Sequence, residues 1–223
     1  LETPDRTIVV DTCLGNDKER AIGSWAHLQT KFLEDLAGAG YSIESIDTVL
    51  CTHLHTDHVG WNTRLENGQW VPTFPNAEYL FGKVEWEYTE AQRENPMYEE
   101  FVVDSIQPII DAGLVRFVDV DEKICNGISL VPTPGHTPGH VSVDIQSNGE
   151  RAIITGDFLH HPCQMEEPYW ECSADWDTPL AQKTRVEQLE CYADEGLLVF
   201  GTHFASPSAG RVVKKGKCFQ FEV

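Results

Sequence analysis

The chain has 223 residues, 41% of them hydrophobic, and a formal net charge of −20. This charge argues against a nucleic-acid partner, because nucleic-acid phosphates require a basic protein surface, and it disfavours an anionic membrane surface as well. The apolar runs are only a few residues long, far short of the ~20 that a membrane span needs, so we expect a soluble protein. The length and the absence of a linker-like stretch predict a single domain over residues 1–223.

The cysteines indicate the redox environment. There are seven, an odd number at irregular spacings without a Cys-x-x-Cys pair, which favours a reduced, cytoplasmic setting over a disulfide framework. The chain begins at Leu1 without a methionine or a hydrophobic leader. We therefore expect that a few residues precede Leu1, and secretion stays open.

In the N-terminal half, apolar spacing and turn residues define the elements. Apolar residues recur at helical spacing from Trp25 to Leu36, behind Ser24 as a possible N-cap and ahead of two glycines, which predicts a helix. Asn67-Gly68 marks a loop. In chain order the predictions are a strand at 7–10, the helix, a strand at 48–52, loops at 67–68 and 72–75, and a strand at 77–81.

The C-terminal half predicts two longer helices and several strands. Met97 to Asp111 has a helical apolar face kinked at Pro108, and Thr178-Pro179 opens a helix to about 194, with Thr178 as N-cap. The predicted strands are 115–118, 128–131, 141–145, 152–155 and 197–200, and Asn148-Gly149 marks a hairpin turn between two of them. A second hairpin is predicted over 211–223, with its turn near Lys215-Gly216. In its last strand Phe219, Phe221 and Val223 alternate inward. Strands interleaved with helices and hairpins predict an α/β fold with mixed sheets.

The richest chemistry lies in Thr52 to Gly60, which follows an apolar run that predicts a buried strand. His53, His55, Asp57 and His58 fall there within six positions, and imidazole and carboxylate suit zinc, manganese or ferrous iron. In extended backbone His53 and His55 project to the same side, whereas Asp57 and His58 can point elsewhere beyond a turn. This spacing suggests two ions, and the buried strand argues against a surface His-rich loop.

His-x-His-x-Asp-His after a strand resembles the signature of the metallo-β-lactamase superfamily of binuclear metallohydrolases. The other motifs of that family follow in order along the chain. They are Ile8-Val9-Val10-Asp11-Thr12, Thr133-Pro134-Gly135-His136, Thr155-Gly156-Asp157 and Gly201-Thr202-His203. The resemblance implies the four-layer αβ/βα sandwich of the family.

The resemblance also implies the metal ligands and their roles. His53, His55 and His136 would bind one ion, Asp57, His58 and His203 the second, and Asp157 would bridge both. The cofactors would be two divalent metal ions, zinc first, with manganese, iron or cobalt as alternatives. The implied chemistry is hydrolysis, in which a bridging hydroxide attacks the substrate and Asp57 orients it or carries its proton.

Several other residues have a functional and a plain interpretation. We interpret Asp11 as a partner that orients a ligand histidine, although it could be an ordinary strand-end carboxylate. His140 is interpreted as a structural residue or one that supports a ligand, and His27 as a surface residue on a helix. Cys163 and Cys172 are interpreted as core or loop thiols. The segment 166–177, with Tyr169, Trp170 and Trp176 among carboxylates, is either a solvated loop or one wall of a pocket for a neutral apolar substrate.

The substrate class follows from features that other branches of the family would show. Asp157 stands where some β-lactamases keep a cysteine, and twenty residues follow His203, which disfavours β-lactamase activity and a glyoxalase II with its helical extension. A basic RNA-processing insertion is absent, and a flavodiiron protein would have Glu at position 55. The pattern is similar to N-acyl-homoserine lactonases and methyl-parathion-hydrolase-like esterases, which predicts a small-molecule lactone or ester substrate.

Two alternatives stay open beside this function. One is a phosphotriesterase, aryl esterase or thioesterase of the same fold, and the other is a non-catalytic metal-binding relative, which the complete ligand set disfavours. His160 stands where the lactonases carry a tyrosine, and we predict that it contacts the substrate, as a hydrogen-bond donor or general acid. Its plain interpretation is a loop histidine beside His161. A homodimer is also possible.

Overall fold

A computed structural model describes residues 1–223. Contacts divide the chain into two compact units, Leu1–Val118 and Asp119–Val223. The prediction of one domain over 1–223 stays a prediction, and each unit is described by itself. None of the helices combines the length and the apolar character that crossing a bilayer requires.

The first unit is built on a four-stranded sheet in which every neighbouring pair is parallel, in the order β1-β2-β5-β6. Its strands and helices are β1 Ile8–Val10, α1 Phe32–Gly38, β2 Thr48–Leu50, α2 Thr56–Val59, β3 Thr63–Glu66, β4 Gln69–Pro72, β5 Glu78–Gly82, α3 Lys83–Ala91, α4 Pro96–Phe101, α5 Gln107–Asp111 and β6 Val115–Val118. The central strands are apolar on both faces, as buried parallel strands are. Val49, Tyr79 and Phe81 pack with Phe101, Ile106 and neighbouring residues into one core.

The helix predicted from Trp25 to Leu36 is wrong in its first half, because α1 begins at Phe32. Residues 16–30 form a loop that folds back on itself, with Asn16 bonded to Thr30 and the His27 amide donating to Lys18. His27 takes a φ of 51°, which a helix interior does not allow. The Lys18 side chain is buried and bonds Thr63 and Asp104. Tertiary contacts of a polar residue therefore override the apolar spacing.

Two elements of the first unit were not predicted. Asn67-Gly68 is the two-residue turn of the hairpin β3–β4, with φ of 51° and 80°, whereas the sequence was interpreted as a loop. Helix α3 is missed because its buried residues are the polar Glu85 and Thr89, so apolar periodicity does not mark it. The helix predicted over 97–111 is present, and a π-helical segment, Val102–Ile106, precedes Pro108, which has no N–H to donate.

The second unit contains a seven-stranded mixed sheet in the order β13-β12-β11-β10-β9-β8-β7. Strands β10 and β11 are parallel, and the other pairs are antiparallel. Its elements are β7 Lys123–Cys125, β8 Ile128–Pro132, β9 Val141–Ser147, β10 Glu150–Ile154, α6 Cys163–Glu166, α7 Thr178–Glu195, β11 Leu198–Phe200, β12 Ala209–Lys215 and β13 Cys218–Glu222. Ile153, Leu189, Val199 and Val212 are among the core residues that join α7 to the sheet.

The predicted strands and hairpins of this unit are present, with two corrections of detail. The N-cap of α7 is Asp177, whose Oδ1 accepts from the Leu180 amide at 3.0 Å, and Thr178 is the first helical residue. Carboxylate suits this position because it satisfies an orphan amide and complements the helix dipole. In the last strand Phe219 is buried, but Val223 is 80% exposed, because β13 ends at Glu222.

The loops that leave the strands carry the candidate ligands. In the first unit, residues 12–13 pair with residues 58–61 through three backbone hydrogen bonds of 2.7–2.8 Å. Gly60 permits this approach, because a Cβ there would lie 2.0 Å from the carbonyl carbon of Leu14. This pairing fixes the segment after β1 against the His-rich segment after β2.

Candidate metal centre

The His-rich segment of the first unit forms a compact set of donors. His53 and His58 are buried, and Asp57 is half-buried. The rings of His53 and His55 lie 4.6 Å apart between centroids, and they offer ring nitrogens within 4.8 Å of each other. Nε2 of His58 lies 3.7 Å from Oδ2 of Asp57. The segment therefore offers two neighbouring pairs of donors, His53 with His55 and Asp57 with His58.

Asp11 holds His58 in place. Its Oδ2 lies 2.9 Å from Nδ1 of His58, while its two carboxylate oxygens also accept from the amide and the hydroxyl of Thr52 at 2.8 Å. Asp11 takes a φ of 54°, a left-handed conformation in which aspartate is tolerated. An Nδ1–H that donates to this carboxylate leaves Nε2 as the metal-binding nitrogen. The contact predicted for Asp11, with a candidate ligand histidine, is present.

The other side of the segment is held by Glu85, which sequence reasoning did not identify. This carboxylate is buried on α3, and its Oε1 accepts from the Leu54 amide, between the two histidines, at 3.2 Å. Thr52 lies 3.1 Å from Nδ1 of His53 through its hydroxyl. A buried glutamate on an otherwise polar helix was the available signal, but the helix itself was not predicted.

In the second unit, three imidazoles surround one oxygen of Asp157. Oδ2 of Asp157 lies 3.0 Å from Nε2 of His203, 3.4 Å from Nε2 of His160 and 3.6 Å from Nε2 of His136. His136, Asp157 and His160 form a group whose ligand atoms lie within 4.8 Å of one another. Asp157 follows β10, His136 follows β8 and His203 follows β11, so the loops after three strands of one sheet converge.

His140 fixes the backbone of Asp157. Nε2 of His140 accepts from the Asp157 amide at 2.7 Å, so Nδ1 carries the proton and faces Thr133, 2.8 Å from its hydroxyl oxygen and 3.1 Å from its carbonyl. Ser142 continues this network by donating to the Thr155 carbonyl. His140 is buried, and its two ring nitrogens serve the protein, as the supporting role predicted for it requires.

Sequence reasoning missed two residues behind His136. Oδ1 of Asp175 lies 3.1 Å from Nδ1 of His136, and the other ring nitrogen, Nε2, faces Asp157. Arg185 of α7 is fully buried, and its Nη2 faces Oδ2 of Asp175 at 3.7 Å. Asp175 stood in a run of acidic and aromatic residues that has an ordinary solvated interpretation, so its sequence gave no sign of this contact.

His160 lies among the donors rather than in the surrounding loop. Its ring stacks on His203 with 5.6 Å between centroids, and its Nε2 lies 3.7 Å from the Cys172 thiol. Burial works to lower the pKa of His160, but hydrogen bonding to Asp157 and Cys172 outweighs it and raises the pKa to about 10. The pKa of Cys172 is lowered, chiefly by its hydrogen bond to His160. His160 therefore belongs to the group of donors around Asp157.

The segment 163–177 has a fixed backbone and exposed aromatic rings. Tyr169, Trp170 and Trp176 are each more than half exposed, whereas the carbonyls of Pro168, Tyr169 and Trp170 all accept side-chain hydrogen bonds. His27 is a surface residue, as predicted, and its Nε2 lies 3.1 Å from Glu19, but it belongs to a loop instead of a helix. All seven cysteines are free thiols.

The donor set in both units fits divalent transition metals. It consists of imidazole nitrogens and carboxylate oxygens, which suit zinc, manganese, iron and cobalt. Nδ1 of His58 contacts the Asp11 carboxylate, and Nδ1 of His136 contacts the Asp175 carboxylate. Histidines that bind metals commonly donate their other ring N–H to such a carboxylate. The residues present therefore fit the two ions that the sequence predicts.

Known proteins resemble this chain over most of its length. The family model of the metallo-beta-lactamase superfamily matches residues 1–203. An N-acyl homoserine lactonase of a Bacillus species is 25% identical over 221 residues, covering 91% of this chain and 78% of the relative. AidC, a dizinc quorum-quenching lactonase solved with the product N-hexanoyl-L-homoserine, is 25% identical with a TM-score of 0.81, covering 99% of this chain and 76% of AidC. The hydrolase AbOPH is 26% identical with a TM-score of 0.82 over 99% of this chain and 76% of its own.

The contact between Asp11 and His58 generates the first prediction. In Asp11→Asn the side chain can no longer accept from the Thr52 amide, the Thr52 hydroxyl and His58 together, so an amide N–H would face Nδ1 and favour the other tautomer. Zinc affinity, measured by competition with a chelator, is expected to fall ~10–100-fold. The matched control is Asp17→Asn, an exposed aspartate with a φ of 63°. Wild-type affinity in Asp11→Asn would show that this contact does not orient a ligand.

Proposed function

Because the chain belongs to the metallo-β-lactamase superfamily and is a metal-dependent hydrolase, we propose that it cleaves a lactone or another carboxylic ester at a centre of two metal ions. The fold class predicted from the sequence, α/β with mixed sheets, is confirmed by the family match and by structural neighbours. The single observation that carries the proposal is the set of imidazoles and carboxylates that follow five strand ends in the order typical of the family.

The proposed ligands are those that the sequence pattern assigns. His53, His55 and His136 would hold one ion, Asp57, His58 and His203 would hold the other, and Asp157 would serve both. Within the first unit, the pairing of His53 with His55 and of Asp57 with His58 supports this division. Within the second unit, the position of Asp157 between His136 and His203 supports its bridging role. We propose that both units form one catalytic domain, that the protein is cytoplasmic, and that two copies form a homodimer.

Two bound ions supply an acidified water and polarise the oxygen of a substrate carbonyl. The residues of the chain then have three tasks. Asp57, half-buried beside His58, is suited to orient a nucleophilic water and to accept its proton. Asp11, Asp175 and His140 hold ligands in fixed directions. His160, beside Asp157, is suited to hydrogen-bond the substrate or to donate a proton to the leaving alkoxide.

The substrate class is supported by relatives and by charge. The relatives at about 25% identity carry the name N-acyl homoserine lactonase, and AidC was solved with an acyl-homoserine product. The formal net charge of −20 disfavours polyanionic substrates. Exposed aromatic rings at Tyr169, Trp170 and Trp176 offer apolar surface in the same unit as Asp157. A neutral lactone or ester with an apolar acyl group fits these features.

The second prediction concerns metal content. Purified active protein should hold two equivalents of zinc, manganese, iron or cobalt by elemental analysis, and removing them with a chelator should abolish activity until metal is restored. Asp157→Ala should reduce both equivalents, because one carboxylate serves both ions, whereas His53→Ala should reduce one more than the other. Active protein with fewer than two equivalents would contradict the binuclear centre.

The third prediction tests the substrate class in a side-by-side assay. Metal-loaded protein is offered lactones, aryl esters, glutathione thioesters, phosphotriesters and β-lactams, and kcat/KM is compared. Lactones or carboxylic esters should be the best substrates, because Asp157 replaces the cysteine of some β-lactamases and the relatives are lactonases. A β-lactam or lactoylglutathione as the best substrate would refute the proposal, and a phosphotriester would favour the alternative function.

The fourth prediction separates the roles of His160. In His160→Phe an aromatic ring stays but no N–H proton or ring-nitrogen lone pair remains, so kcat/KM should fall at least ~10-fold, and by ~10²–10⁴ if His160 is a general acid, with both metal equivalents retained. His161→Phe, at an exposed neighbouring position, is the matched control and should keep activity. Loss of metal in His160→Phe would instead make His160 a ligand, and unchanged activity would make it scaffolding.

A further inference from the structure

Arg185 is the largest side chain in the protein that is completely buried. It lies on α7, and its guanidinium donates to three carbonyls, from Nε to Phe158 at 3.1 Å and from Nη1 to Pro168 at 2.8 Å and Trp170 at 2.9 Å. Its remaining nitrogen, Nη2, faces Asp175. Hydrogen bonds and an opposite charge offset the desolvation of a buried charge. Here Nε and Nη1 make hydrogen bonds, whereas Nη2 and Oδ2 of Asp175 form a buried ion pair at 3.7 Å without a hydrogen bond.

Two of these contacts, to Phe158 and to Asp175, lead to the candidate metal centre of the second unit. Phe158 follows Asp157 directly in the chain. Asp175 divides its two oxygens, with Oδ2 at 3.7 Å from Nη2 of Arg185 and Oδ1 at 3.1 Å from Nδ1 of His136. Both side chains of the Arg185–Asp175 pair are 0% exposed. The position of the His136 ring therefore depends on a carboxylate whose other oxygen faces one buried guanidinium.

The same guanidinium also holds the aromatic segment. Nη1 bonds the carbonyls on both sides of Tyr169, and Gln182, on the same helix, bonds the Tyr169 carbonyl itself at 2.7 Å. Gln164 links this segment to His160, since its Oε1 accepts from the His160 amide and its Nε2 faces the Trp170 carbonyl. The exposed rings of Tyr169 and Trp170 thus stand on a backbone whose carbonyls are hydrogen-bonded to α7.

From these contacts we propose that Arg185 and Asp175 form a positioning pair, in which Asp175 sets the direction of His136 for metal binding and Arg185 fixes Asp175 and the segment 168–170 together. This inference rests on the proposed function in taking His136 as a metal ligand. Neither residue touches the ion or the substrate. Their effect passes through His136 and through the backbone of Pro168 to Trp170.

The test uses three full-length variants and measurements that need no substrate. Asp175→Asn keeps the side-chain volume but replaces one carboxylate oxygen by an amide, so the affinity for one of two zinc ions should fall ~10–100-fold while the other ion is retained. Arg185→Lys should weaken the same ion, and the absorption spectrum of the cobalt-substituted protein should change in both variants. Lys183→Met, at an exposed position of the same helix, is the control and should match wild type.

Hydrogen exchange separates the two members of the pair. Arg185→Lys should accelerate exchange in residues 166–172, because a single ammonium cannot replace the forked contacts to Pro168 and Trp170, whereas Asp175→Asn should leave that peptide close to wild type. If Arg185→Lys does not fold, Asp175→Asn decides the metal effect, because the fold can accommodate an isosteric amide.

The outcomes distinguish this inference from the function it rests on. Wild-type zinc affinity and an unchanged cobalt spectrum in Asp175→Asn would overturn the positioning role. Equal weakening of both ions would also overturn it, because a general loss of structure would then explain the result. Selective weakening of one ion in a protein that hydrolyses no ester would refute the proposed function and leave the positioning pair standing.

Discussion

The candidate centre depends on buried carboxylates that hold imidazole rings from behind. Asp11 contacts Nδ1 of His58 in the first unit, and Asp175 contacts Nδ1 of His136 in the second. A hydrogen bond to Nδ1 decides which ring nitrogen keeps its lone pair and in which direction it points. Each carboxylate has further partners, because Asp11 accepts two hydrogen bonds from Thr52 and Asp175 forms a buried ion pair with Arg185 at 3.7 Å. The direction of the donors is therefore set by the protein rather than left to a bound ion.

The backbone contributes as much to this order as the side chains. Gly60 lets the segment after β1 approach the His-rich segment closely enough for three backbone hydrogen bonds, and this pairing brings Asp11 to His58. In the second unit, His140 accepts a hydrogen bond from the Asp157 amide. The Thr155 hydroxyl accepts one from the amide of Thr202, the residue before His203, at 3.3 Å. Since positioning within about 0.5 Å matters for catalysis, these contacts explain why short motifs carry several polar residues besides the ligands.

The sequence predicts the parts of the site that are local and misses those that are tertiary. The donors between His53 and His58 are proposed from their spacing and residue type, whereas His136, Asp157 and His203 are proposed because their short motifs resemble those of the family. Asp175 was hidden because its contact with His136 joins residues 39 positions apart. Arg185 was hidden because arginine on a helix is usually exposed, and no local feature shows that its carbonyl partners lie under the helix. Glu85 was missed together with its helix, which lacks apolar periodicity.

The fold shows the same division. Strands with apolar runs and the Asn148-Gly149 turn were predicted because their signals lie within a few residues. The segment before Phe32 was predicted as helix, but the buried Lys18, bonded to Asp104 and 3.8 Å from the centre of the Trp70 ring, holds it as a loop. A buried lysine must find compensating partners, and burial lowers its pKa to about 8 despite the Asp104 carboxylate. Local apolar spacing could not reveal this requirement.

The candidate ligands of each unit are already ordered in the folded chain. In each unit the imidazoles and carboxylates are ordered by contacts within that unit, so the conformational entropy of these side chains is lost on folding rather than on binding. The donor atoms that this order brings together, a carboxylate beside an imidazole at Asp57 and a carboxylate among three imidazoles at Asp157, suit a divalent transition metal better than a monovalent ion. Donors that are ordered before binding lose less conformational entropy when an ion arrives, and this is the physical basis on which the proposed centre would hold its metals.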